Sequence, residues 1–258
     1  MLMSKDTGKK MKYAKILFDV LAKTGVLKKI PELLEKSPQL FKQVKNWWNG
    51  KNIAILGATA SGKNSLFNRL CGVEVSTDYN QTRANEKVKN FTFRYKLSHA
   101  DYSETIEFKC KNSTNTSGEI DARDRYWLDI ASKADIIFYL IDIQKIENND
   151  DVYLARLKSD FKWLSENMSK FKETSTIHIL LNKIDTIIKE DDLEEIDNLF
   201  SEKDYISNIQ SMYKKILGQS KANRINSVHY MSMTDTYLFE HFFNNVLCDI
   251  YENEGKNK

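Results

Sequence analysis

The sequence predicts an α/β fold: a mainly parallel sheet covered on both faces by helices, with one antiparallel hairpin, preceded by short N-terminal helices. Three observations carry this reading. From residue 52 onward, short apolar runs alternate with longer stretches patterned at helical spacing. The central runs, such as Ile136-Ile137-Phe138-Tyr139-Leu140-Ile141, do not alternate polar with apolar residues, as expected of strands buried on both sides. The first fifth of the chain differs from the rest in charge, which marks it as a separate unit.

Residues 1–50 hold eleven Lys, no Arg and four acids, a net of +7, so by difference from the chain's +3 the other 208 residues carry −4. Tyr13, Leu17, Val20 and Leu21 recur at helical steps, as do Leu40, Val44, Trp47 and Trp48. Ser37-Pro38 reads as a helix start and Asn49-Gly50 as a stop; Pro31 could open a further short helix. The division expected is a basic amphipathic extension over 1–50 and a single α/β domain over 51–258. The apolar faces of these helices either pack on the main domain, leaving the lysines solvated, or dock on a protein partner or an anionic membrane. Nucleic acid is disfavoured, because Arg is absent and no recognised binding motif accompanies the charge.

The first strand is Asn52–Leu56, ending at Gly57, and a helix follows over Asn64–Leu70. Further strands are expected at Phe91–Leu97, Thr105–Cys110, Asp135–Ile141, Thr176–Leu181 and Ser227–Met231. Helices are expected over Asp121–Lys133, Asp151–Phe171, Asp192–Leu217 and Tyr237–Tyr251. The short polar link between 91–97 and 105–110 makes that pair the hairpin. Composition agrees with a folded domain: of 258 residues 41% are hydrophobic, enough for a sizeable core. Charged residues make up 29%, and no uncharged apolar run approaches the roughly 20 residues of a membrane span. The three cysteines, Cys71, Cys110 and Cys248, suit reduced thiols better than a disulfide framework or a zinc cage, and no secretory signal is visible. A cytoplasmic location is expected, with peripheral membrane contact as its variant.

The chemistry begins where the first strand ends. Gly57-Ala58-Thr59-Ala60-Ser61-Gly62-Lys63 fits G-x-x-x-x-G-K between a strand and a helix. There the backbone N–H groups of Ala60, Ser61, Gly62, Lys63, Asn64 and Ser65 can converge on a phosphate at a helix N-terminus, and Lys63 adds a point charge. Asn182-Lys183-Ile184-Asp185 follows the buried run Ile177–Leu181, so it belongs at a strand's C-terminal edge, where open α/β sheets bind ligands. The Asp185 carboxylate can accept from both the ring N–H and the exocyclic amine of guanine. Asn182 would brace the loops, and Lys183 would lie along the base.

On these two motifs the chain resembles the P-loop GTPases of the Ras and Era kind, in the translation-factor-related class, over roughly residues 50–252. The resemblance implies a three-layer G domain that binds GTP or GDP, with magnesium and GTP hydrolysis. It also implies a mobile-loop Thr that closes on the γ-phosphate and metal; Thr82 is the candidate and Thr77 the alternative, with Arg83 beside it as a cis arginine finger or a solvated loop residue. Ser232-Met233-Thr234 matches the family's base-edge loop loosely, with Ser232 and the Met233 backbone on the guanine carbonyl. The Asp-x-x-Gly motif is best matched by Asn115-Thr116-Ser117-Gly118, followed by Glu119 where Ras-like members often carry Gln to orient the attacking water.

Two departures stand out. Asn64 replaces the Ser or Thr that follows the P-loop lysine, and Asn115 replaces the Asp; together with Thr82 these are the metal positions. A neutral, bulkier amide is a poorer partner for a cation that tolerates little geometric error, so weakened magnesium binding is expected. Two functions follow: a guanine-nucleotide switch with slow or partner-assisted hydrolysis, or a pseudo-GTPase that works as a binding module through protein contacts.

Overall fold

The computed structural model describes residues 50–71, 86–99, 102–187, 204–236 and, nearer the C-terminus, residues 238, 239, 242, 243, 245–247 and 249. The expected helices of residues 1–49 and the candidates Thr82, Thr77 and Arg83 lie outside the described residues.

Six strands form one sheet: β1 (Lys51–Gly57), β2 (Glu86–His99), β3 (Tyr102–Asn115), β4 (Ile136–Asp142), β5 (Thr176–Asn182) and β6 (Ile225–Met231). Their order is β2-β3-β1-β4-β5-β6. β2 and β3 are antiparallel, in register from Glu86↔Asn115 to His99↔Tyr102, and every other neighbouring pair is parallel. The hairpin strands run well past the apolar runs that predict them. Their polar ends carry no hydrophobic signal, but Asn112–Asn115 pair with Asn52–Ile55 of β1, and this ladder extends β3 up to the phosphate loop.

Successive strand residues face opposite sides of the sheet, and β4 shows how both sides are covered. Phe138 meets His178 and Phe243 on one face. Tyr139 meets Trp127 and Phe161 on the other. The Phe138 face is closed by helical residues within 236–249, where Phe239 and Phe243 stack. The Tyr139 face is closed by α4 (Asp151–Asn167), α5 (Tyr205–Leu217) and α2, the helical stretch from Ile120 to Ala131 that carries Trp127. Each fully buried Leu, Ile or Phe in these layers contributes about 1.5–3 kcal/mol of transfer free energy.

α1 (Lys63–Cys71) buries Lys63, Leu66, Phe67 and Leu70, the i, i+3, i+4, i+7 stripe of one helix face. α2 comprises Ile120–Ala122, a π-helical turn at Arg123–Trp127 and Leu128–Ala131. The wider turn puts Arg123 and Trp127 inside while Asp124, Arg125 and Tyr126 remain exposed. A short helix that the sequence pattern missed, α3 (Ile143–Glu147), leaves β4 directly; Asp142 caps it by accepting from Gln144 N at 3.1 Å.

Two predicted helices are corrected at their ends. The helix expected through 171 stops at Asn167 and gives way to a single 3₁₀ turn at Met168–Lys170. Of the helix expected across 192–217, residues 192–203 lie outside the described residues; α5 begins after Asp204, whose side chain caps it by accepting from Ser207 N at 2.9 Å. A four-residue helix, α6 (Gln219–Ala222), follows. Among the described residues no helix is long and apolar enough to cross a membrane.

Candidate functional site

β1 delivers the chain to Gly57, whose φ of 139° suits a residue without a Cβ. A Cβ there would lie 2.5 Å from Leu140 O, so β4 backbone packs directly on the turn. Ala60 follows at φ 63° and Gly62 at φ 99°. Gly62 O accepts the first α1 bond, from Leu66 N at 3.0 Å, so the helix begins as the loop ends. Its leading N–H groups have no intrahelical partner and carry the positive end of the helix dipole.

Lys63 is buried and donates from Nζ to Ala58 O at 2.6 Å, curling back over its own loop. Burial, and next the nearby Arg156 charge, lower its pKa to about 7, while the Asp160 carboxylate opposes the shift. The Ser61 hydroxyl oxygen is buried with no hydrogen-bond partner. Gly118 crosses directly above: a Cβ at that position would overlap Thr59 N, Ala58 C and Lys63 Nζ. Residues 115–118 are thereby laid over the loop, and Thr116 Oγ1 donates to Ile55 O at 2.9 Å to hold them on β1. Glu119, next in the chain, is exposed.

The structure brings the two unusual amides together. Asn115 Nδ2 donates to Asn64 Oδ1 at 2.9 Å, in a part-buried contact. The Asn64 oxygen therefore faces an N–H, whose partial positive charge is the opposite of what a metal ligand presents to its cation, and neither side chain brings negative charge. This pair does not fit a magnesium ion. Among the described residues no group of three or more His, Cys, Asp or Glu side chains gathers elsewhere.

The second motif stands at the ends of β5 and β6. Asn182 Nδ2 donates to Ser61 O at 3.0 Å, tying this motif to the phosphate loop. A Cβ on Gly62 would overlap that same amide. Lys183 adopts φ 72°, and its Nζ donates to Asp142 Oδ2 at 2.6 Å, so the lysine stem is held along the top of β4. Asp185 Oδ2 accepts from Thr234 Oγ1 at 2.9 Å, while its Oδ1 is buried with no hydrogen-bond partner. Ser232 and Met233 are buried after β6, and the Ser232 hydroxyl accepts from Asp235 N at 3.1 Å. Asn182 Oδ1 is likewise buried without a hydrogen-bond partner. Such orphaned acceptors fit a ligand that brings its own donors.

The sequence reading missed an ionic core under the phosphate end. Asp160 is fully buried and accepts from Arg123 Nη1 at 2.9 Å, Arg156 Nε at 2.8 Å and Tyr139 Oη at 2.8 Å. The Arg156 guanidinium lies 5.9 Å from the Trp127 ring centre. Trp127 Nε1 in turn donates to Ser117 O at 3.4 Å, beside Gly118. One signal was available: Asp160 lies on the apolar face of α4 with Tyr153, Leu157 and Phe161, a place where a carboxylate needs a buried partner. Arg156, four residues earlier, is one of the two it finds.

Residues 52–183, about half of the chain, match the family described as 50S ribosome-binding GTPase. Comparison with curated proteins gives no match. Among solved structures, the chain is similar to the mammalian SRP receptor at 15% identity, over 78% of this chain and 100% of that one, with a TM-score of 0.49. It is also similar to Methanosarcina barkeri Roco2 RocCORdC bound to GDP at 16% identity, over 79% of this chain and 50% of that one, with a TM-score of 0.45.

Proposed function

The chain belongs to the 50S ribosome-binding GTPase family, a P-loop GTPase domain of the Ras-like superfamily, and from that premise we propose that it is a guanine-nucleotide switch whose GTP hydrolysis is slow or partner-dependent. The observation that carries the reading is the bond from Asn182 Nδ2 to Ser61 O. It joins the Asn182-Lys183-Ile184-Asp185 motif to the Gly57–Lys63 loop across 121 residues of sequence, which supports one site shared by the two. The orphaned Oδ1 of Asp185 supports the same reading, because guanine offers two adjacent donors to a carboxylate and adenine does not.

In this reading the backbone N–H groups of residues 60–65 wrap the phosphates. Lys63 exchanges Ala58 O for a phosphate oxygen, a stronger acceptor for an ammonium group. Lys183 lies along the base, and Ser232 with the Met233 backbone meets its carbonyl edge. The Gly118 backbone faces the γ-phosphate, Thr82 closes over it and Glu119 stands at the side from which water attacks. A carboxylate there can hold water but also repels the phosphate, and Asn64 with Asn115 brings no negative charge to the site. Both features make hydrolysis slow. The basic segment 1–50, and the loops near Thr82 and Gly118, are the surfaces offered to a protein partner.

The Asn115–Asn64 bond favours a second reading, a pseudo-GTPase that holds nucleotide structurally and acts through protein contacts. Affinity for GTP and GDP, measured with magnesium and with chelator alongside phosphate release, separates the two. The switch distinguishes GTP from GDP and releases phosphate at a measurable rate; the binding module does neither. A nucleotide at about 100 times its Kd adds about 2.7 kcal/mol of stability, so a thermal shift reports binding in either case. Equal competition by adenine nucleotides would sink both readings.

A further inference from the structure

We propose that Arg69 is a positioning residue for base selection, holding the loop after β6 so that Asp185 meets the guanine edge; the proposal rests on the guanine-nucleotide reading above. Arg69 lies in the last turn of α1, the helix whose first residue is Lys63. Six residues at 1.5 Å each separate the two along the axis by about 9 Å. One short helix therefore has the phosphate lysine at one end and Arg69 at the other.

The Arg69 guanidinium makes four hydrogen bonds to the segment after β6. Nε and Nη2 both donate to Met233 O, at 3.0 and 2.9 Å. Nη1 donates to Thr236 Oγ1 at 3.1 Å, and Nη2 reaches Thr234 O at 3.4 Å. The group also lies 5.1 Å from the ring centre of the buried Phe239. A planar fork with fixed donors can grip one carbonyl twice while stacked on a ring; the single ammonium of a lysine cannot.

Gripping Met233 O fixes the orientation of the 233–234 peptide. The peptide bond is trans, so with its carbonyl turned toward Arg69 its N–H, that of Thr234, points the other way. The Thr234 side chain then reaches Asp185, donating from Oγ1 to Oδ2 at 2.9 Å. Because Oδ2 is engaged, the carboxylate has one set orientation, with Oδ1 buried and lacking a hydrogen-bond partner. The chain of contacts runs from Arg69 through Met233 and Thr234 to Asp185, so Arg69 acts on the base at one remove.

The test compares GDP with IDP, which lacks the exocyclic amine that Asp185 would read, in the full chain and in Arg69→Met and Arg69→Lys. Wild type is expected to prefer GDP. Arg69→Met is expected to raise the Kd for GDP about tenfold, the effect of losing a charge-assisted hydrogen bond, and the Kd for IDP by less, so the preference narrows. Arg69→Lys, which keeps the charge but has one donor nitrogen in place of the planar fork, should fall between, and it carries the comparison if Arg69→Met does not fold. Equal weakening of GDP and IDP would mean that Arg69 only holds the fold, and an unchanged GDP affinity would mean that it does not matter to binding; either result overturns the proposal. Wild type that binds neither nucleotide overturns the guanine reading itself, which is visible before any variant is made.

Discussion

At the phosphate end of the proposed site, the Ser61 hydroxyl apart, the polar groups are turned on one another: Lys63 on Ala58 O, Asn115 on Asn64, and two arginines on Asp160 beneath them. At the base end the contacts hold a loop in place and leave two buried acceptors, Asp185 Oδ1 and Asn182 Oδ1, without a hydrogen-bond partner. The first end must therefore exchange internal bonds for ligand bonds, whereas the second is already organised. Groups that satisfy one another gain little when a ligand arrives, because each new bond replaces one already made, but a buried acceptor without a donor gains a full hydrogen bond. Selectivity for the base should thus be the more robust property of this protein, and response to the γ-phosphate the weaker one.

The largest expected effect lies under the phosphate end. Asp160→Ala leaves Arg123 and Arg156 buried without their shared counter-charge and should cost about 3–5 kcal/mol of stability, read from urea denaturation. A loss below about 1 kcal/mol would mean that solvent already screens the cluster, as it does for exposed pairs. At the base end, Asp185→Asn should leave the fold intact and weaken GDP by about a hundredfold, because one carboxylate acceptor becomes an N–H donor facing a donor and the other loses its charge. Titration calorimetry measures it, and a loss smaller than fivefold would contradict the assignment.

The third prediction rebuilds the phosphate end. Asn64→Ser combined with Asn115→Asp removes the amide pair and should raise GTP affinity in magnesium by about tenfold or more, the scale on which metal-site groups act, with faster phosphate release. Unchanged values in the double variant would remove the argument from donor chemistry. GDP affinity in chelator should barely move, since the base end is untouched.

The smallest effect follows from Lys63. Its pKa in the empty protein is lowered to about 7, below the ordinary 10.5. Over that interval the unfolded chain binds more protons than the folded one, so the empty protein gains stability as pH rises from about 7 toward 10.5. Nucleotide binding has the opposite sign, because the phosphates favour the ammonium form. The Kd for GDP should rise about fivefold between pH 7 and 8, with proton uptake on binding. Calorimetry in buffers of different ionisation enthalpy detects that uptake, and Lys63→Met should abolish it.

Much of this was legible in the sequence because the signals are local. Gly57, Gly62 and Lys63 declare their loop by spacing, and the buried runs of β4 and β5 declare a parallel sheet by composition. Asn182 as a brace between loops is a reading from the motif, and its bond to Ser61 O has that form. The extension of β3 to Asn115 was not legible, because its last residues are polar and only the β1 ladder orders them. Nor was the helix start at Asp204, since a capping aspartate and an exposed helical aspartate read alike in a polar stretch.

The sequence alone determined the sheet, the phosphate loop and the motif at the end of β5, because each depends on neighbours within a few residues and on strand periodicity. Tertiary structure decided which groups meet across distance: Asn115 with Asn64, Arg69 with the Met233 carbonyl, Asp160 with Arg123 and Tyr139. Periodicity assigns a side chain to a face, but only the packing of elements from distant parts of the chain fixes which donor lies within 3 Å of which acceptor.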